Sequence, residues 1–268
     1  MIKSCIMHVS YAVLLDTRRR GAVIVQFFSN RGFFHMDYLT GIVTAAHGIG
    51  MTLYVTACAI LIGIVIGLVM ALFKMSHNII LKIISNVYIE VVRGTPLFVQ
   101  ILIFAYGIPY LVTQVSGGSV SFNWKPIVIV GVLACGLNSG AYLAEIIRSG
   151  IQAVNKGQEE ASRSLGLSSG QTMRYVILPQ AFRIILPAMA NEFVTLIKET
   201  SILSYIGIVE ITREGMLWAA RDFKSFPAYI GVAIVYMCLT IPLSRLVAYM
   251  EKRMDPAAPK TKKRKPGI

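Results

Sequence analysis

The chain predicts an all-α membrane protein of about five transmembrane helices, and three observations carry that expectation. Of its 268 residues 55% are hydrophobic and only 15% charged, whereas soluble domains carry roughly 25% charge. Mean hydropathy is strongly positive, at +0.65. Apolar stretches close to the roughly 20 residues that cross a bilayer recur at 49 to 73, 95 to 113, 126 to 147, 182 to 208 and 227 to 249. Lys and Arg then set the orientation. Lys74, Lys82 and Arg93 follow the first stretch, Arg148, Lys156, Arg163 and Arg174 follow the third, and Lys252, Arg253 and five more follow the fifth. Positively charged loops stay in the cytoplasm, so these three segments, and the C-terminus, are expected inside.

The first 40 residues fit this plan poorly and are set apart as an N-terminal extension. The spanning domain covers 41 to 253, and a basic tail covers 254 to 268. An apolar run from Cys5 to Leu15 precedes Asp16, Arg18, Arg19 and Arg20, and a second short run ends at Phe28. Neither is long enough to span, and five spans would leave this basic segment outside, against the charge rule. No small-residue cleavage site marks a signal peptide. Translation from Met36, an interfacial helix and a re-entrant segment are the open readings.

Within the spans, each polar residue calls for a reason, because burying it in lipid is costly. Arg93-Gly94-Thr95-Pro96 reads as the cytoplasmic start of the second span, with Thr95 capping, Pro96 in the first turn and Arg93 snorkelling to the headgroups. Gln100, one and a half turns deeper, is not explained that way. In the third span Asn138 sits beside Gly136, Ser139 and Gly140 and must bond either a neighbouring helix or a solute. Gly136-x-x-x-Gly140 and Gly63-x-x-x-Gly67 suit close helix approach, and Glu145 suits a helix pair with Arg148. In the fourth span Asn191, Thr195 and Lys198 share one helical face, with Glu192 and Glu199 beside it. This stripe offers both signs of charge to a zwitterion; the alternative is that its charges pair with one another to fix helix packing or sit in the headgroup zone.

Several chemistries find no support. The net charge of +13 and the tail from Lys260 to Lys265 suit anionic lipid headgroups better than nucleic acid, since no stacking aromatics accompany them. Cys5, Cys58, Cys135 and Cys238 are dispersed and give no disulfide framework or metal spacing. There is no HExxH, no GxSxG and no phosphate loop. The chain is not expected to be an enzyme.

The most informative segment is the polar, basic island at 160 to 179, within a loop at 154 to 179. Gln158 to Leu165 are good helix formers, Gly166 supplies a stop, and Ser168 or Ser169 can cap a second helix from about Gly170 to Val176, ended by Pro179. Two short helices bent at Gly166 make a knob whose Ala161, Leu165 and Leu167, beside Glu160 and Arg163, suit a groove on another subunit.

Here the sequence resembles the integral-membrane permeases of ATP-binding-cassette (ABC) importers. Their coupling motif reads Glu-Ala-Ala, three residues, Gly, nine residues, then Ile-x-Leu-Pro. Glu160, Ala161, Gly166, Leu178 and Pro179 match at that spacing, with Ser162 for the second Ala and Val176 for the Ile. Arg93-Gly-Thr-Pro-Leu-Phe-Val-Gln100, Ala141-Tyr-Leu-Ala-Glu-Ile-Ile-Arg-Ser-Gly150 and Lys198-Glu-Thr-Ser201 look like the polar amino acid branch. The resemblance implies the type I permease fold with a cytoplasmic coupling helix pair, in a bacterial inner membrane. It implies a second permease subunit, identical or related, two cytoplasmic ATPase subunits that hold ATP and Mg, and an extracytoplasmic amino-acid-binding protein. Glu160, Ala161, Arg163, Gly166, Leu178 and Pro179 are then the expected ATPase-coupling residues. Gln100, Asn138, Asn191, Glu192, Thr195, Lys198 and Glu199 are the candidates for the solute path. The other readings are a permease for another small polar solute or an ion-coupled secondary transporter.

Overall fold

A computed structural model describes residues 31 to 254, with side chains from Met36 onward. The expectations for the apolar runs before residue 30 and for the basic tail from Lys260 lie outside the described residues. Among those described, four helices are long and apolar enough to cross a membrane: Met36–Met75, Leu97–Val115, Val128–Gln152 and Ser225–Met254.

The first of these joins α1 (Arg31–Ala46) to α2 (Ile49–Met75) through a tight turn at His47 and Gly48. It therefore begins well before the expected residue 49. Gly48 is required there, because a Cβ would lie 2.3 Å from the backbone at Glu210 and Ile211. The next passage is broken. Helix α3 (Ile79–Gly94) leads to α4 (Leu97–Leu102), a π-helical turn at Ile103–Gly107, and α5 (Ile108–Val115). The long α6 (Val128–Gln152) follows, then the short α7 (Lys156–Ser164) and α8 (Ser169–Thr172). A second π-turn at Met173–Ile177 runs into α9 (Leu178–Glu199), which ends in a 3-10 segment at Thr200–Ile206. Helices α10 (Ile211–Asp222) and α11 (Ser225–Met254) complete the chain.

Contacts give the directions. Gly63 packs against Gly136 and Gly140, and Gly67 against Leu143 and Ala144, so α2 and α6 run parallel. The two small-residue motifs of the sequence thus meet each other. A Cβ on Gly67 would sit 2.7 Å from Leu143 Cβ, which shows how close the backbones come. Lys74 Nζ bonds Glu145 at 3.0 Å near the shared end of this pair. Helix α1 runs alongside α11 in the same sense, with Asp37 to Lys224 at one end and Gly41 against Gly231 further along. Helix α9 opposes α6, since Ser139 meets Glu192 and Gly150 meets Ile185. The main core lies among α2, α4, α6 and the 3-10 segment and includes Val55, Ile101, Leu143, Leu196 and Leu203.

Helix α9 occupies the fourth expected span. Its 22 residues reach about 33 Å at 1.5 Å per residue, yet Arg183, Asn191, Glu192, Lys198 and Glu199 keep it out of the apolar set. A helix packed against protein on part of its surface can carry such residues where a lipid-wrapped one cannot.

Candidate functional site: a knob at one end and a polar cluster at mid-helix

The knob is built from short, individually capped pieces. Asn155 caps α7 by accepting the Gly157 N–H at 2.8 Å. The chain then reverses at Gly166, whose φ of +87° lies in the left-handed region that glycine adopts without steric cost. Arg163 Nη1 crosses the bend to donate to the Leu167 carbonyl at 3.1 Å. Ser168 opens α8 with a reciprocal capping box to Gln171, which satisfies two orphan donors at once. Buried between the two helices, the Ser162 and Thr172 hydroxyls bond at 3.0 Å. Ser162 therefore does more than match alanine in size: it clasps α7 to α8.

One expectation is corrected here. Pro179 does not end the second knob helix. Helix α8 continues through the π-turn directly into α9, with Pro179 in the first turn of α9. The widened turn shifts the hydrogen bonding, as the Leu178 N–H reaching back to the Met173 carbonyl shows, so Pro179 is accommodated where a regular helix would break. The second knob helix and the fourth span run on without a break.

Glu160, Ala161, Arg163, Gly166, Leu178 and Pro179 are all exposed on the chain. Leu165 at the bend is 81% exposed, an apolar side chain with no cover from its own subunit. The sequence offered it within the knob but gave no sign that it would form the tip.

The second cluster gathers at the helix break. Tyr88 of α3 donates to the Leu137 carbonyl of α6, so α3 climbs beside the middle third of α6 before the chain breaks at Thr95 and Pro96. The motif from Arg93 to Pro96 therefore joins two helices, and the candidate span Leu97–Val115 begins directly after it. Thr95 closes α3 by donating back to the Val91 carbonyl at 2.9 Å, and Pro96 stands just before α4. Arg93, expected at the headgroups, lies with its guanidinium 5.2 Å from the Tyr142 ring centre on α6. Gln100 Nε2 bridges the break, donating to the Val92 carbonyl at 2.8 Å and to the Thr95 carbonyl at 3.1 Å. Its Oε1 accepts from Asn138 Nδ2 at 3.1 Å. Buried Asn138 thus has a neighbouring helix as its partner.

The polar residues of α9 divide into two groups. Glu192 turns to α6, where Oε1 accepts from Ser139 Oγ at 3.0 Å. Asn191 and Lys198 are exposed, and Thr195 spends its hydroxyl on the Asn191 carbonyl of its own helix at 3.1 Å. Glu199 is half-buried at the end of α9. Among the described residues Lys198 makes no ion pair with Glu192 or Glu199, so the alternative of internal pairing does not hold for Lys198. Asn191 also borders a cleft between α9 and α11, with Arg183, Pro187, Val247 and Glu251. Glu145 stands apart, held by Lys74 and by Arg148, whose Nε lies at 3.1 Å.

The comparisons with known proteins agree on one lineage. Residues 63–256 match the family described as binding-protein-dependent transport system inner membrane component. The putative glutamine transport system permease protein GlnP of Rickettsia prowazekii (strain Madrid E) is 35% identical over 219 residues, covering 82% of this chain and 96% of that protein. The glutamine transport system permease protein GlnP of Escherichia coli (strain K12) is 36% identical over 209 residues, covering 77% and 91%. Among solved structures, an amino acid ABC transporter crystallised with histidines is 42% identical. It superposes with a TM-score of 0.73 over 82% of this chain and 98% of that one. The MetNI methionine ABC transporter shares the fold at 16% identity and a TM-score of 0.59. With matches of this length and depth, the chain belongs to the family of binding-protein-dependent transport system inner membrane components.

Proposed function

We propose that this chain is the permease subunit of an ATP-driven importer for polar amino acids, working as one of a pair with its knob end in the cytoplasm. The observation that carries the reading is the knob itself. A capped, clasped two-helix projection with Leu165 bare at its tip is fused without a break to the polar helix α9. Relatives named for glutamine and amino acid transport support the substrate class.

The mechanism follows from that rod. Glu160, Arg163 and Leu165 seat in a groove of the cytoplasmic ATPase, and Gly166 sets the angle at which they enter. The ATPase subunits hold ATP and Mg, for which this chain has no phosphate loop. When they close, the two knobs are drawn together and each α9 swings as a lever, since α8, the π-turn and α9 run on as one helical segment. The path then opens toward the binding protein on the far side, and reopening of the ATPase pair returns it. Gln100, Asn138, Asn191, Glu192, Thr195, Lys198 and Glu199 border the space this movement exposes.

The test uses the complete complex in proteoliposomes. Exchanging Leu165 for Asp puts an uncompensated charge into an apolar seat, and uptake should fall at least tenfold while the permease still inserts. Full ATP-driven uptake by that variant would refute the docking role of the knob tip.

A further inference from the structure

Helix α3 has three faces rather than two. Ser85 and Ile89 are buried against the rest of the chain. Ile80, Ile83, Ile84, Val87 and Val91 form an exposed apolar face, each 47 to 63% exposed, suited to lipid. The third face carries Lys82, Glu90 and Arg93, which are exposed, and the half-buried Asn86, all within about 80° of arc at 100° per residue. Among the described residues none of these four side chains makes a hydrogen bond or an ion pair; Arg93 has only the face of Tyr142.

Unpaired charge on a helix that climbs to the middle of α6 cannot face acyl chains, so this face is watered or covered by protein. Its upper end adjoins the polar cluster. Tyr142, which holds Arg93, is three residues from Ser139, which holds Glu192; the two anchors lie on one side of α6, about 5 Å apart along its axis. Among the described residues Glu192 Oε2 accepts no hydrogen bond. A guanidinium and a carboxylate, each with capacity to spare, are therefore anchored about one turn apart on α6, near the break that ends α3.

We propose that the Lys82, Asn86, Glu90 and Arg93 face lines the knob-side half of the solute path, and that Arg93 reads the α-carboxylate of the amino acid there. Glu192 receives the α-ammonium, and Tyr142 holds the guanidinium flat to present its fork. This assignment rests on the amino acid reading above and replaces Lys198 as the cation of the site. Lys198 lies six residues, about 9 Å, beyond Glu192 on α9.

Two experiments on the purified permease and ATPase complex decide it. In the first, calorimetric titration with the twenty L-amino acids identifies the tightest binder, and its methyl ester serves as the carboxylate-free probe. Arg93→Gln should weaken binding of the amino acid about tenfold or more while leaving the already weak ester unchanged, and Arg93→Lys should fall between, having charge without the bidentate fork. Equal affinity in Arg93→Gln and wild type overturns the assignment. If the wild-type complex binds no amino acid, the substrate reading fails and Arg93 falls with it.

In the second, Asn86→Cys and Val87→Cys are exposed in proteoliposomes to a charged maleimide on the knob side, over the background of the wild-type chain. Asn86→Cys should react several-fold faster than Val87→Cys. If both are inert, the polar face is sealed by a second permease copy and is not a path; if Val87→Cys reacts as fast, the division into lipid and water faces is wrong.

Discussion

At the scale of single residues, the knob is held by contacts that sequence matching reads as neutral. Ser162 stands where the coupling motif has alanine, and only its bond to Thr172, ten residues away, shows why a hydroxyl is useful there. Thr172→Val would leave Ser162 its bond to the Glu159 carbonyl at 2.8 Å but would open the clasp. The expected cost is about 1 kcal/mol of local stability, measured as faster amide exchange over residues 156 to 172 with the spans unchanged. Gln100 is a second case. The sequence marks it as a polar residue without a membrane-edge explanation, but its bonds to the Val92 and Thr95 carbonyls and to Asn138 depend on where α3 stops. Gln100→Leu should strip the Val92 and Thr95 carbonyls of their donor and orphan the Asn138 amide. A loss of about 2 to 4 kcal/mol is expected from the unsatisfied groups, read as a lower midpoint of thermal unfolding for the purified complex.

At the scale of elements, the legible features were those with a local physical signature. The glycine pairs at 63 and 67 and at 136 and 140 announced close packing, and they pack on each other. Their tolerance differs. A Cβ on Gly63 would meet its neighbours at 3.2 to 3.3 Å, whereas on Gly67 it would meet Leu143 Cβ at 2.7 Å and Ala144 N at 3.0 Å. Gly67→Ala should therefore destabilise the complex by about 1 to 3 kcal/mol, clearly more than Gly63→Ala; the reverse order of melting temperatures would mean that α2 and α6 can part easily. The Gly166 bend and the Ser168 cap were also readable, since each rests on one residue's backbone preference or one side chain. Two elements were not. Pro179 looked like a helix terminator because a regular helix cannot host it, and only the π-turn before it lets the rod continue. The Arg93 to Pro96 motif looked like a helix start because charge, cap and proline occur in that order at such starts. The same order closes one helix and opens another in mid-structure, and what decides between them is α3 packing on α6 through Tyr88, a contact between residues 49 positions apart.

At the scale of the whole molecule, much of the surface is unpartnered within one chain. The window of Ser225–Met254 is only 17% buried and that of Leu97–Val115 only 11%, against 61% for Val128–Gln152. Helix α6 is thus the internal post, and the other apolar helices present broad faces outward, as expected for a subunit that meets lipid and other chains. Composition made the membrane class plain, and the coupling spacing made the family plain. The depth of the polar cluster was hidden, because it depends on how helices pass one another. The second knob helix, the π-turn and α9 form a continuous helical connection between the knob and that cluster, so the proposed lever depends on the angle of this rod.

The most direct test is the ratio of amino acid uptake to ATP hydrolysis in proteoliposomes containing the full complex with Gly166→Pro in the permease. Proline holds φ near −65°, and the native bend needs +87°, so the knob must change its angle while the spans, remote from Gly166, still insert. Hydrolysis should persist with uptake reduced at least tenfold. Uptake at the wild-type ratio would contradict the lever.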